Sequence, residues 1–190
     1  MAFSLIPRCG LSPRQGAGLA VLCLAVLSIP LTMAQGAGVA FSEYQVKAAF
    51  LYNFAKFVEW PSTEEAAPVK IGILGDDPFG DYLDDAIRGK TIRGRPIEAR
   101  RFRYVDDLQV CDILFISDSE AKRLPEIIKT LSGVPVLTVG EGRDFAEEGG
   151  MIGLVLEAGK VRFDINNKAA KASGITVRSQ LLQLARSVKK

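Results

Sequence analysis

The residues able to do chemistry are few, and the missing types narrow the field first. None of the 190 residues is histidine. That excludes Ser-His-Asp and Cys-His catalysis and the usual histidine-containing zinc sites. Of the three cysteines, Cys9 and Cys23 precede residue 34, and Cys111 opens the apolar run Cys111-Asp112-Ile113-Leu114-Phe115-Ile116. Such a run is the setting of a buried, inert thiol. Gly89-Lys90-Thr91 has the ending of a phosphate-binding loop, but Asp84 stands where the motif needs its first glycine. Asp76, Asp77 and Asp118, at the ends of expected strands, invite comparison with a Mg²⁺-binding phospho-acceptor site. The lysine such a site needs on a late strand is missing from residues 151–156, so these acids read as turn and cap residues. No spacing favours one carboxylate pair for acid-base work. The expectation is a protein that is not an enzyme, with no catalytic residue, metal, disulfide or cofactor.

The N-terminus has the three zones of a secretory signal. Arg8 and Arg14 give a positive start, residues 19–31 are almost wholly apolar, and Thr32-Met33-Ala34 offers small residues for cleavage. The apolar zone is too short for the ~20 residues a membrane-spanning helix needs. Residues 1–34 are therefore expected to be a cleaved signal peptide and the remainder a periplasmic protein. Cleavage removes two of the 24 basic residues and none of the 22 acidic ones, leaving a formal net charge near zero. That balance gives no nucleic-acid signature. About 155 residues remain, enough for one domain, placed at 42–190.

The elements that position these residues follow from periodicity. Ser42 reads as an N-cap for a helix running to about Glu59, ended by Trp60-Pro61. Residues 69–74 form an apolar strand, 79–87 a short helix, and 96–104 an edge strand with its arginines facing water. A helical turn is expected at 105–108, then a strand at 112–117, a helix at 119–131 and a strand at 134–139. Residues 144–148 read as a helical turn. Strands at 151–156 and 160–165, joined by Ala158-Gly159, make an antiparallel hairpin. A helical turn at 166–172 and an amphipathic helix over 176–188 close the chain. The fold class is α/β, a three-layer sandwich with a mixed, mostly parallel sheet and a C-terminal hairpin. Loops at 75–79, 117–120 and 140–144 should gather on the carboxyl edge of that sheet, where such folds place ligands.

Several blocks in order resemble the YfiR family of periplasmic regulators. The first is Tyr44-Gln45-Val46-Lys47-Ala48-Ala49-Phe50-Leu51-Tyr52-Asn53-Phe54-Ala55-Lys56-Phe57-Val58-Glu59-Trp60-Pro61. Cys111 to Ser117, Pro135 to Gly140, Gly149-Gly150-Met151-Ile152, Val161 to Asn166 and Gly174 to Ala185 follow. The resemblance implies a protein that binds the periplasmic sensor region of an inner-membrane diguanylate cyclase and represses it, lowering cyclic di-GMP and biofilm formation. It also implies release through an outer-membrane lipoprotein that sequesters the regulator. Many members carry cysteines where this chain has Ala146 and Gly153, so a redox switch through that disulfide is not expected here. The alternative reading is a periplasmic solute-binding or ligand-sensing module serving another receptor.

Four residues are the candidates for partner contact. Trp60 beside Pro61, at a helix exit, suits either an interface anchor or core packing, and the same surface could hold a homodimer. Arg162 and Asn166 flank apolar Phe163 and Ile165, and face a partner or cap the hairpin. Gly149-Gly150 is expected to relax the backbone.

Overall fold

A computed structural model of the chain describes residues 42–61, 67–103 and 111–190. The expected signal peptide and the turn expected at 105–108 lie outside the described residues. The first helix, α1 (Glu43–Phe57), begins with a complete capping box: Ser42 Oγ accepts from Gln45 N–H, and Gln45 Oε1 accepts from Ser42 N–H at 2.7 Å. A cap of this kind is worth ~1 kcal/mol. The helix ends two residues before the expected Glu59, because Val58–Glu59 turns extended as β1 and pairs with β9 (Thr176–Val177).

The expected strand at 69–74 is β2 (Val69–Leu74), and its mostly apolar run, interrupted only by Lys70, suits a mid-sheet place covered on both faces. Helix α2 (Asp81–Ile87), β3 (Thr91–Ile92), β4 (Arg95–Phe102) and β5 (Ile113–Ile116) follow. The helix expected over 119–131 is broken into a 3-10 segment, Asp118–Arg123, and α3 (Leu124–Thr130). Pro125 explains the break, since it has no N–H to bond back into a preceding turn but suits the first turn of a new helix. The next strand, β6 (Leu137–Glu141), starts three residues later than expected. The hairpin is present as β7 (Ile152–Glu157) and β8 (Lys160–Asn166), with Glu157 facing Lys160 across a turn in which Ala158 and Gly159 both take positive φ. A short α4 (Asn167–Ala172) leads on to β9.

The continuous C-terminal helix is not formed. Thr176–Val177 is drawn into the ladder with β1, α5 covers only Ser179–Leu184, and Ser187–Lys189 (β10) lies parallel to β8. The apolar spacing fitted a helix, but backbone pairing at both ends won, leaving Leu184 64% exposed.

The eight-stranded sheet runs β10-β8-β7-β6-β5-β2-β4-β3. The β4-β2-β5-β6-β7 block is all parallel, while β7-β8 and β4-β3 are antiparallel. In order of appearance the parallel block reads 2-1-3-4-5, the doubly wound arrangement whose switch point lies between β2 and β5. Side chains alternate across it. Ile71, Ile73, Ile113 and Phe115 join Leu51 and Phe54 of α1 in one core, and Leu114, Ile116 and Cys111 join Ile127 of α3 in the other. Two cores on one mixed sheet make the three-layer sandwich.

Candidate partner-docking surfaces

The loops after β2, β5 and β6 do share the carboxyl edge, as parallel pairing requires. The turn at the switch point is packed by the protein's own atoms. Gly75 turns at φ 89°, where a Cβ would meet Glu120 Cγ at 2.9 Å, and Ser119 Oγ accepts from Asp76 N–H at 3.0 Å. Asp77 is a turn residue: its Oδ1 accepts from Phe79 N–H at 2.8 Å and its Oδ2 from Arg101 Nε at 3.0 Å. Arg101 also grips Asp84 through both terminal nitrogens (3.2 and 2.5 Å). The Arg101 hydrogen bonds hold the Asp84 carboxyl below its usual range, and they raise the already high guanidinium value further. A hollow of about 570 Å³ beside them is lined by Asp76, Asp77, Arg101, Arg103 and Glu120. It presents three carboxylates and two guanidinium groups, and among the described residues that line it no nucleophile and base are in contact.

At the same edge lies a buried charge cluster that periodicity did not reveal. Lys47 of α1 has a side chain only 5% exposed that bonds both Glu43 and Glu141. Its ammonium stands 4.6 Å from the Tyr44 ring centroid. Burial pulls the Lys47 value down, but the bonds from Glu141 and Glu43 prevail and it is raised. Burial and the Glu141 charge raise Tyr44 as well. This cluster pins the start of α1 to the end of β6. No one-residue pattern signals it, because Glu141 is 94 positions away.

The four expected contact residues do not converge. Trp60 is half-buried against the α1 core, and its indole N–H donates to Asp112 O at 3.0 Å, tying the helix exit to the start of β5. Pro61 is exposed. Beside them, Glu59 accepts from Arg178 at 2.8 Å. Arg162 is exposed on β8, opposite Val155 of β7. Asn166 does not face outward: it is 5% exposed, its Oδ1 caps α4 by accepting from Ala169 N–H, and its Nδ2 donates to Ala146 O at 2.9 Å. An amide at the first position before a helix is used for the backbone donors there, which is why it turns inward.

Next to it, Asp164 is buried and bound by both Arg186 and the Ser187 hydroxyl (2.7 Å). Burial pushes this carboxyl up, but the hydrogen bonds from Arg186 and Ser187 outweigh it and the net shift is downward. Cys111 is buried, and burial pushes its thiol up to about 12, the inert state expected of it. A further shallow hollow, between α1 and α2, is mostly apolar and lined by Val46, Ala49, Tyr82 and Ala86. Among the described residues no three His, Cys, Asp or Glu side chains cluster as metal ligands would, and no helix is long and apolar enough to cross a membrane.

Doubly wound order, a hairpin extension and an ion-paired carboxyl edge define the class, an α/β domain with a mostly parallel sheet. The chain belongs to the YfiR/HmsC-like family, which it matches over residues 44–186. That family consists of periplasmic regulators rather than enzymes. Among solved structures it is similar to a conserved domain protein of Vibrio cholerae, at 15% identity and a TM-score of 0.53, covering 78% of this chain and 61% of that one. It is also similar to the ABC domain in complex with L-Trp from Streptococcus pneumoniae, at 15% identity and a TM-score of 0.46, covering 63% and 55%. The chain thus spans about 61% and 55% of the lengths of these two structures.

Proposed function

We propose that this protein is exported to the periplasm, binds the periplasmic sensor region of an inner-membrane diguanylate cyclase and holds that enzyme inactive. Cyclic di-GMP and biofilm formation fall as a result, and capture of the regulator by an outer-membrane lipoprotein lifts the block. The observation that carries this reading is membership of the YfiR/HmsC-like family across residues 44–186. The chemistry is in keeping with it. The chain has no histidine, its Cys111 thiol is buried and protonated, and Arg101 at the carboxyl edge is braced by Asp77 and Asp84.

The contact residue we assign for test is the exposed Arg162; Pro61, with the accessible edge of Trp60, is a separate candidate. Arg162 is not bound in an ion pair among the described residues, so it is available to a partner carboxylate. Titrating the purified protein onto the cyclase's periplasmic region by calorimetry tests both levels. A saturable complex is expected, with Arg162→Glu weakening it on the order of tenfold. An unchanged affinity removes Arg162 from the interface. The absence of any complex overturns the reading.

A further inference from the structure

Between α1 and α2 lies a groove of about 400 Å³, lined by Gln45, Val46 and Ala49 on one side and by Tyr82, Asp85 and Ala86 on the other. Alanine on both facing helices leaves the space, and Tyr82 stays 40% exposed beside it. Asp85 is drawn off by Arg88 at 2.7 Å, and Gln45 turns its Oε1 back to Ser42 N–H. The opening is therefore mostly apolar, and it begins in the first turn of α1, where the chain arrives from Phe41.

The entry to α1 says what covers this groove. Ser42 and Gln45 form a complete capping box. The companion of such a box is a contact between the apolar residue just before the cap and the fourth residue of the helix. Counted from Ser42, those two positions are Phe41 and Val46, and Val46 lines the groove at its near end. Ser42 itself is extended, with φ −64° and ψ 153°. Side chains two apart in an extended segment share a face, which puts Val39 on the side of Phe41, with small Ala40 between them. Residues 39–41 carry no charge, which suits an opening whose one carboxylate is already paired. They directly precede the described residues, and the cleavage expected after Ala34 keeps them in the exported protein. We propose that the groove is the docking site of the chain's own segment 39–41. Phe41 seats on Val46, Val39 lies further along against Ala49 and Ala86, and the α1–α2 face is closed to other partners. This docking depends neither on Arg162 nor on the regulatory reading.

Thiol labelling of the protein purified after export tests it. Cys111 is buried, with its thiol pushed up to about 12, so the thiol introduced by Ala49→Cys is the reactive one. With Val39 and Phe41 in place that thiol should react several-fold more slowly than when Val39→Ser/Phe41→Ser is added, because the segment must lift before a reagent enters. Phe41→Leu, which keeps an apolar side chain at the entry, should preserve the protection. Ser132→Cys supplies the control: position 132 is exposed and follows α3 on the opposite face of the sheet. Its labelling rate should not respond to the changes at 39 and 41, and circular dichroism of each variant separates an emptied groove from lost folding. Labelling at position 49 that is indifferent to the two serine substitutions overturns the proposal. Protection that grows with protein concentration assigns the groove to a second copy and overturns it equally.

Discussion

At the scale of single residues, the described part of the molecule invests its buried charge in bracing. Lys47 between Glu43 and Glu141 joins α1 to β6, Asp164 between Arg186 and Ser187 joins β8 to β10, and Asp112 accepts from Lys70 N–H at 2.8 Å between β5 and β2. Asp164 gives the clearest pH test. Its carboxyl is lowered in the folded state, so the stability it contributes is complete above the ordinary carboxylate value near 3.9 and is lost as pH falls through the folded value. Urea midpoints of the wild type and Asp164→Asn should therefore differ more at pH 7 than at pH 2. An equal gap at both would remove the linkage. Cys111 and Asp77 were legible from sequence, because an apolar run or an Asp-Asp-Pro turn is a local signal. Lys47 and Asn166 were not. Their roles depend on partners brought close only by the fold, and a lysine or asparagine between apolar residues looks solvated until those partners are known.

At the scale of elements, glycine placement shows what packing demands. Gly149 has φ 108° and needs its backbone freedom, as expected, but Gly150 has a different reason. The Phe145 ring is wedged between Gly140 and Gly150, and a Cβ built on either would collide with it. Gly150→Ala should cost ~1–3 kcal/mol by overpacking, read from urea denaturation. Combining it with Phe145→Leu should cost less than the two changes summed, since they share one contact. Full additivity would mean the ring does not sense position 150. Periodicity found β2, the hairpin and α1 because their patterns are long or bounded by strong turn signals. It failed over 176–188, where a helical spacing of Val177, Leu181 and Val188 conceals two short extended pieces. Those pieces form because β1 and β8 have free edges nearby, and one segment's own pattern carries no record of another segment's edge. Pro125 was the readable sign of the broken helix.

At the scale of the whole molecule, the doubly wound order places its switch point between β2 and β5, and Ser119 fills the turn there. On the proposed function, partner contact falls to surfaces outside that turn, with Arg162 and Pro61 as the candidates to be tested. The strand order itself was not legible, since local patterns show which segments are strands but not which lie side by side. The alternation of strands and helices was enough for the layered class, and the ordered blocks from Tyr44 to Ala185 for the family.

The most direct test of the central claim is the cellular cyclic di-GMP level after deletion of this gene and after its re-expression. The account predicts a rise on deletion, reversed by the wild-type chain and reversed less well by Arg162→Glu at equal abundance. An unchanged level in a strain that normally makes the protein would contradict it.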